Sequence, residues 1–260
     1  MPSRAIKFGA LALVVLALGA TCAQAIITQK GNLRVKVSGT ISPNTLPRTG
    51  AAPIAVSVAG QVSTVDQSFP PQLKVLKIEI NRNGRLDYQG LPLCAAHEIQ
   101  PATNERALSA CRAALVGQGT FNAYIVLKGQ EPYPASGRLL LFNGREGGHQ
   151  VLLGHIYITQ PFASSFLIPF QISANRHGQY GTTLTADLAK ALGARRYLTG
   201  IDMTLQRRYS SHGKRLSFLS AGCPAPKGFP GATFPLARTS FAFANGAKLT
   251  STLTSDCKAR

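Results

Sequence analysis

Cys223 is the residue in this chain best suited to nucleophilic chemistry, because it closes the small-residue segment Ser220-Ala221-Gly222-Cys223 and is followed by Pro224-Ala225-Pro226. A thiol attacks as its thiolate, and His212-Gly213 upstream supplies a candidate base. His97-Glu98 offers a second arrangement, a base beside an orienting carboxylate, in the loop leaving Cys94. The remaining histidines make no metal site. His149 and His155 would share one face of a strand, yet six residues of strand hold them about 20 Å apart, and His177 stands alone. The sequence holds no G-x-S-x-G, H-E-x-x-H, D-[ST]-G or phosphate-cradling glycine loop. The residues imply neither a cofactor nor a metal.

Two further segments imitate functional motifs. Leu46-Pro47-Arg48-Thr49-Gly50 matches the sortase pattern L-P-x-T-G, but it lies near the start of the chain, where cleavage would discard almost everything. Pro47 and Gly50 suit a turn there. Asn81-Arg82-Asn83-Gly84-Arg85-Leu86-Asp87 spaces oxygen ligands as a calcium loop does, with one carboxylate among two arginines. Asn-Gly between alternating segments reads instead as a hairpin turn.

Charge is the strongest compositional signal. Lys and Arg number 28 against 10 Asp and Glu, for a formal charge of +18. Such an excess favours polyanionic partners. The basic residues are dispersed and the longest runs are pairs, which argues against nucleic acid. Arg195, Arg196, Arg207, Arg208, Lys214 and Arg215 lie closest in sequence and are the candidate polyanion contacts.

What positions these residues begins with a leader. Arg4 and Lys7 precede the apolar run from Phe8 to Ala20, and Ala23-Gln24-Ala25 forms an A-x-A cleavage site. That order predicts a secretory signal peptide over residues 1–25 and a mature chain beginning at Ile26. Loss of Arg4 and Lys7 lowers the formal charge from +18 to +16. No later stretch is apolar and long enough to span a bilayer. Removal of Cys22 leaves Cys94, Cys111, Cys223 and Cys257, an even set that implies disulfides in an exported chain. Three pairings are possible, and local closure as Cys94–Cys111 with Cys223–Cys257 costs the least loop entropy.

Period-two alternation dominates the rest of the chain. Leu76-Lys77-Ile78-Glu79-Ile80 and Ile201-Asp202-Met203-Thr204-Leu205 each place apolar residues on one face and polar residues on the other. Similar segments run over 33–37, 54–58, 121–127, 138–142, 151–158, 166–172, 182–186, 216–219, 240–243 and 249–254. Only Thr103 to Leu115 and Asp187 to Gly193 read as helical. The fold class expected is therefore all-β, with one or two sandwich-like domains and a short helix near 103–115, stapled by disulfides.

Landmarks repeat along the chain. Leu73, Leu76, Ile78, Ile80 and Arg82 match Leu198, Ile201, Met203, Leu205 and Arg207 at constant offset. Thr120-Phe121 matches Ser240-Phe241, and Thr40-Ile41-Ser42-Pro43 matches Ile158-Thr159-Gln160-Pro161. The implied division is a first sandwich-like half over 26–145 and a second over 146–260.

Two resemblances bear on function. Ser220-Ala221-Gly222-Cys223 is similar to the nucleophile segment of L,D-transpeptidases, exported enzymes that crosslink cell walls; a free Cys223 would leave an odd cysteine among the other three. Cys94-Ala95-Ala96-His97-Glu98-Ile99-Gln100-Pro101-Ala102-Thr103, Ser220 to Pro226, Ala237 to Phe243 and Leu253 to Lys258 resemble an uncharacterised family of secreted actinobacterial proteins. That resemblance implies export and a shared fold but carries no activity. The reading that combines these observations is a secreted, basic, non-catalytic protein associated with anionic cell-envelope or extracellular polymers. A cysteine enzyme of the L,D-transpeptidase type is the alternative.

Overall fold

The computed structural model describes residues 25–260. The expected leader lies outside the described residues apart from Ala25, which opens the first strand. In chain order the structure begins with β1 (Ala25–Lys30), β2 (Leu33–Ser42), β3 (Thr45–Leu46), β4 (Ala52–Pro53), β5 (Ala55–Thr64), β6 (Leu73–Asn81) and β7 (Gly84–Leu86). Helices α1 (Ala96–Ile99) and α2 (Asn104–Cys111) precede β8 (Leu115–Ile125), β9 (Tyr133–Glu146), β10 (His149–Ile158), β11 (Ser164–Ala174) and β12 (Tyr180–Asp187). After α3 (Leu188–Leu192) come β13 (Arg196–Leu205), β14 (Arg208–Ser211), β15 (Lys214–Ser217), β16 (Leu219–Ala221), β17 (Gly231–Phe243) and β18 (Lys248–Ala259). The fold is all-β with short helices, as the alternation predicts.

One 13-stranded sheet runs in the order β1-β2-β5-β13-β8-β9-β10-β11-β12-β6-β17-β18-β3. It curls until its two ends face each other. Thr28 of β1 bonds through its hydroxyl to the hydroxyl of Ser251 in β18 at 2.7 Å. Inner residues of opposed strands share one core: Val58 and Met203 line the same internal void of about 110 Å³ as Ile78 and Leu253. Phe121, Phe142 and Phe218 are fully buried, and each large apolar side chain so enclosed contributes roughly 1.5–3 kcal/mol.

The proposed division at 145/146 falls at the end of β9, just before the turn into β10. Gly147 and Gly148 make that turn with φ of 56° and 81°, a pair of left-handed positions that glycine adopts at no steric cost. Strands from the two sides of this turn alternate in the sheet. β13 lies between β5 and β8, while β6 lies between β12 and β17.

Leu139-Leu140-Leu141-Phe142 shows no alternation because both faces of β9 are covered. Leu139 and Leu141 join the main core. Leu140 and Phe142 pack with Val151 and Leu153 beneath Cys94, Ile99, Ala107 and Cys111 of the helical excursion. Thr103 caps α2 by accepting from the Arg106 amide at 3.3 Å, and Asp187 caps α3 by accepting from the Lys190 amide at 2.9 Å. The expected helix ends earlier than Leu115: Arg112–Ala114 tighten into a 3-10 turn and Leu115 begins β8.

Asn83-Gly84 forms a turn, but not the expected hairpin. The Asn81 side chain accepts from the Asn83 amide at 2.9 Å, which folds the chain over Arg82 and Asn83. Gly84 already belongs to β7, which pairs with β16 rather than with β6.

Candidate anion-binding site

The site is built on the β14–β15 hairpin, whose turn places His212 at φ 50° and Gly213 at φ 72°. Register sets Arg208 opposite Ser217 and Ser210 opposite Arg215. Alternation then projects Arg208, Ser210 and Arg215 from one face, with Arg208 and Arg215 as diagonal neighbours about 7–8 Å apart. Tyr209 leaves the other face and donates its hydroxyl to the carbonyls of Asp87 at 2.9 Å and Gln89 at 3.0 Å. This fastens the hairpin to the body. Burial pushes the Tyr209 phenol above its usual range, and the Asp87 charge adds to the effect.

Arg260 completes the cluster from the far end of the chain. Lys258 and Ala259 of β18 pair in parallel with Thr45 and Leu46 of β3, and the Arg260 amide donates to the Leu46 carbonyl at 3.0 Å. Arg208, Arg215 and Arg260 line an open cleft of about 590 Å³ with Pro43, Pro53 and Leu216, and its lining includes no Asp or Glu. Three exposed arginines around a lining that has no acidic side chain favour anions at this cleft. The arrangement can hold phosphate, sulfate or carboxylate groups.

The other predicted basic residues are elsewhere. Lys214, opposite Ser211, leaves the reverse face of the hairpin. Arg207 is half-buried and donates Nη2 to the Ala113 carbonyl at 3.2 Å. Arg195 and Arg196 stand at the opposite end of β13, which spans about 30 Å for its length. Arg196 donates Nη1 to the Leu192 carbonyl at 2.8 Å and stacks 4.3 Å over the Phe166 ring. Its desolvation lowers the guanidinium pKa. Arg195 is exposed by itself.

The four cysteines form Cys94–Cys111 and Cys223–Cys257, the local pairing that loop entropy favours. Cys223 is buried and its sulfur is bonded to that of Cys257 at 2.03 Å, so no thiol stands there for transpeptidase chemistry. His212 sits on the hairpin turn with Nδ1 3.0 Å from the Ser211 hydroxyl. Cys94, Glu98 and Cys111 are close enough to suggest a metal site, but both sulfurs are consumed by the disulfide. The Glu98 carboxylate instead accepts from the Ala95 amide at 2.7 Å and closes the start of α1.

Leu46-Pro47-Arg48-Thr49-Gly50 is a turn, packed against the Cys223 segment. Leu46 is fully buried, and the Pro47 carbonyl accepts from the Cys223 amide at 2.9 Å. Arg48 donates to the carbonyls of Ala225, Pro226 and Phe229.

Arg260 and Tyr209 escaped the reading of the sequence. Parallel pairing of β3 with β18 brings Arg260 in, and nothing local signals such a contact. Tyr209 could have been placed, because alternation between Arg208 and Ser210 already assigns it to the inner face. No known protein family, curated protein or solved structure matches this chain.

Proposed function

We propose that this protein is exported and binds anionic cell-envelope or extracellular polymers without catalysis. The observation that carries this reading is the convergence of Arg208, Arg215 and Arg260 on a cleft whose lining has no acidic side chain. The formal charge of +16 that remains once Arg4 and Lys7 leave with residues 1–25 supports it by drawing polyanions to the whole surface. Two disulfides and the A-x-A segment support export. Among the described residues, no helix is long and apolar enough to cross a membrane.

The test is retention on immobilised dextran sulfate and polygalacturonate across a salt series. Exposed charges are screened over about 8 Å at physiological ionic strength, so retention should fall steeply with salt. Paired reversal of Arg208→Glu and Arg215→Glu should move elution to lower salt than reversal of Arg195→Glu with Lys214→Glu. Retention that ignores salt, or responds equally to both pairs, would refute the assignment of the cleft.

A further inference from the structure

We infer that the outer face of β2, β5, β13, β8 and β9 is a second binding site, built for an extended neutral glycan. Strand register sets up a transverse row there. Lys36 is opposite Gln61, Gln61 opposite Gly200, Gly200 opposite Asn122, and Asn122 opposite Ser136. A parallel row two residues along contains Ser38, Ala59, Asp202, Thr120 and Arg138. The first row crosses an open trough of about 940 Å³.

Shape and chemistry agree. Gly200 makes room at mid-row for the Asn122 side chain, whose amide nitrogen would lie 3.1 Å from a Cβ added there. Farther along the face, Ser57 bonds to Thr204 and Arg138 to Gln118. Among the described residues no such bond engages the side chains of Gln61, Asn122, Ser136 or Asp202, and all four are exposed. Their amides, hydroxyl and carboxylate are free to pair with ligand hydroxyls. Strands about 4.8 Å apart present one such group per strand, a repeat close to the advance of one pyranose in an extended chain.

One end of the trough is aromatic. Tyr124 lines it and pairs across the sheet with Tyr197. Phe69, 40% exposed, lies 5.3 Å from the Tyr124 ring and 4.7 Å from the Tyr197 ring, centroid to centroid. Such rings offer apolar faces on which the C–H face of a sugar can rest. Aromatic residues are only 7% of the chain and Trp is absent, yet β8 and β13 gather these rings from three distant segments.

Other ligands fit less well. Lys36 and Asp202 are the only charged side chains among the lining residues, so a polyanion gains nothing net. All five strands have a bonded neighbour on both sides, which bars an added peptide strand. Arg208, Arg215 and Arg260 are not part of the trough, so the proposal is independent of the anionic cleft.

The experiment is titration of isotope-labelled protein with cellohexaose, mannohexaose and chitohexaose, followed by amide chemical shifts. At least one should give saturable shifts centred on Gln61, Asn122, Ser136 and Gly200, unchanged by salt. Combined Gln61→Ala and Asn122→Ala should weaken binding about tenfold or more, and Phe69→Ala should also weaken it. These residues are exposed, so the spectrum will verify that the fold is kept. The Arg208→Glu, Arg215→Glu protein should bind the glycan as wild type does. Absence of saturable shifts with all three glycans, shifts confined elsewhere, undiminished affinity in the double variant, or equal shifts with dextran sulfate would each overturn the proposal.

Discussion

Ile201 of β13 lies directly opposite Phe121 of β8. Leu76 of β6 lies opposite Phe241 of β17 in the same manner. These are the residues that match one another in the internal repeat, Leu76 with Ile201 and Phe121 with Phe241. The repeat is thus visible as pairing, but the partners are exchanged: each half of the chain lends a central strand to strands of the other. Neither β6 nor β13 can be satisfied within its own half. Fragments 25–145 and 146–260 expressed separately should therefore give collapsed amide spectra, and mixing them should restore dispersion. A dispersed spectrum from either fragment alone would refute this.

The disulfides close loops of unequal size, with sequence separations of 17 and 34 residues. Replacing either pair by serine should cost about 2–4 kcal/mol. Doubling the loop adds about 0.6 kcal/mol of closure entropy, so the loss of Cys223–Cys257 should be the larger. Denaturant midpoints of the two double-serine variants check the order.

His155 is fully buried, and its Nε2 meets the Ala102 carbonyl at 3.1 Å. Desolvation holds its pKa below the usual histidine value, more than the carbonyl contact raises it. The unfolded chain takes up a proton near pH 6.5 that the folded His155 resists. Stability should then decline as pH falls below about 6.5, by up to about 1.4 kcal/mol per pH unit, until the folded pKa is reached. His155→Leu, which sits between Leu140 and Leu167 in register, should flatten that slope. The readout is the denaturant midpoint against pH for both proteins.

Arg195 and Arg196 should separate cleanly. Arg196→Ala loses a carbonyl bond and a stacked ring and should cost about 1–2 kcal/mol in thermal or denaturant unfolding. Arg195→Ala, with an exposed side chain, should cost less than about 0.5 kcal/mol. Equal losses at both positions would contradict this division.

Alternation made the strands legible, and their pairing was not. Leu76 to Ile80 reads as a strand from five residues, but nothing in them says that Ala186 and Phe241 will be the neighbours of Leu76. The helix start at Thr103, the short helical turn over 187–193 and the local disulfides were legible because their physics is short-range. The basic cluster was half legible. Arg208 and Arg215 meet through a hairpin that alternation can place, whereas Arg195 and Arg196 are adjacent in sequence yet separated by the length of β13. Arg260 and the Phe69–Tyr124–Tyr197 group depend on long-range register and were invisible.

The curl also governs what the molecule offers to copies of itself. Laid flat, a sheet of this width would end in two long rows of unbonded amides, the usual template for aggregation. Here the two-residue β3 covers one end of β18. Thr28 of β1 reaches across to Ser251 on the same strand. The two rims thereby face each other, and among the described residues the curl leaves less room for a second chain to pair along either edge.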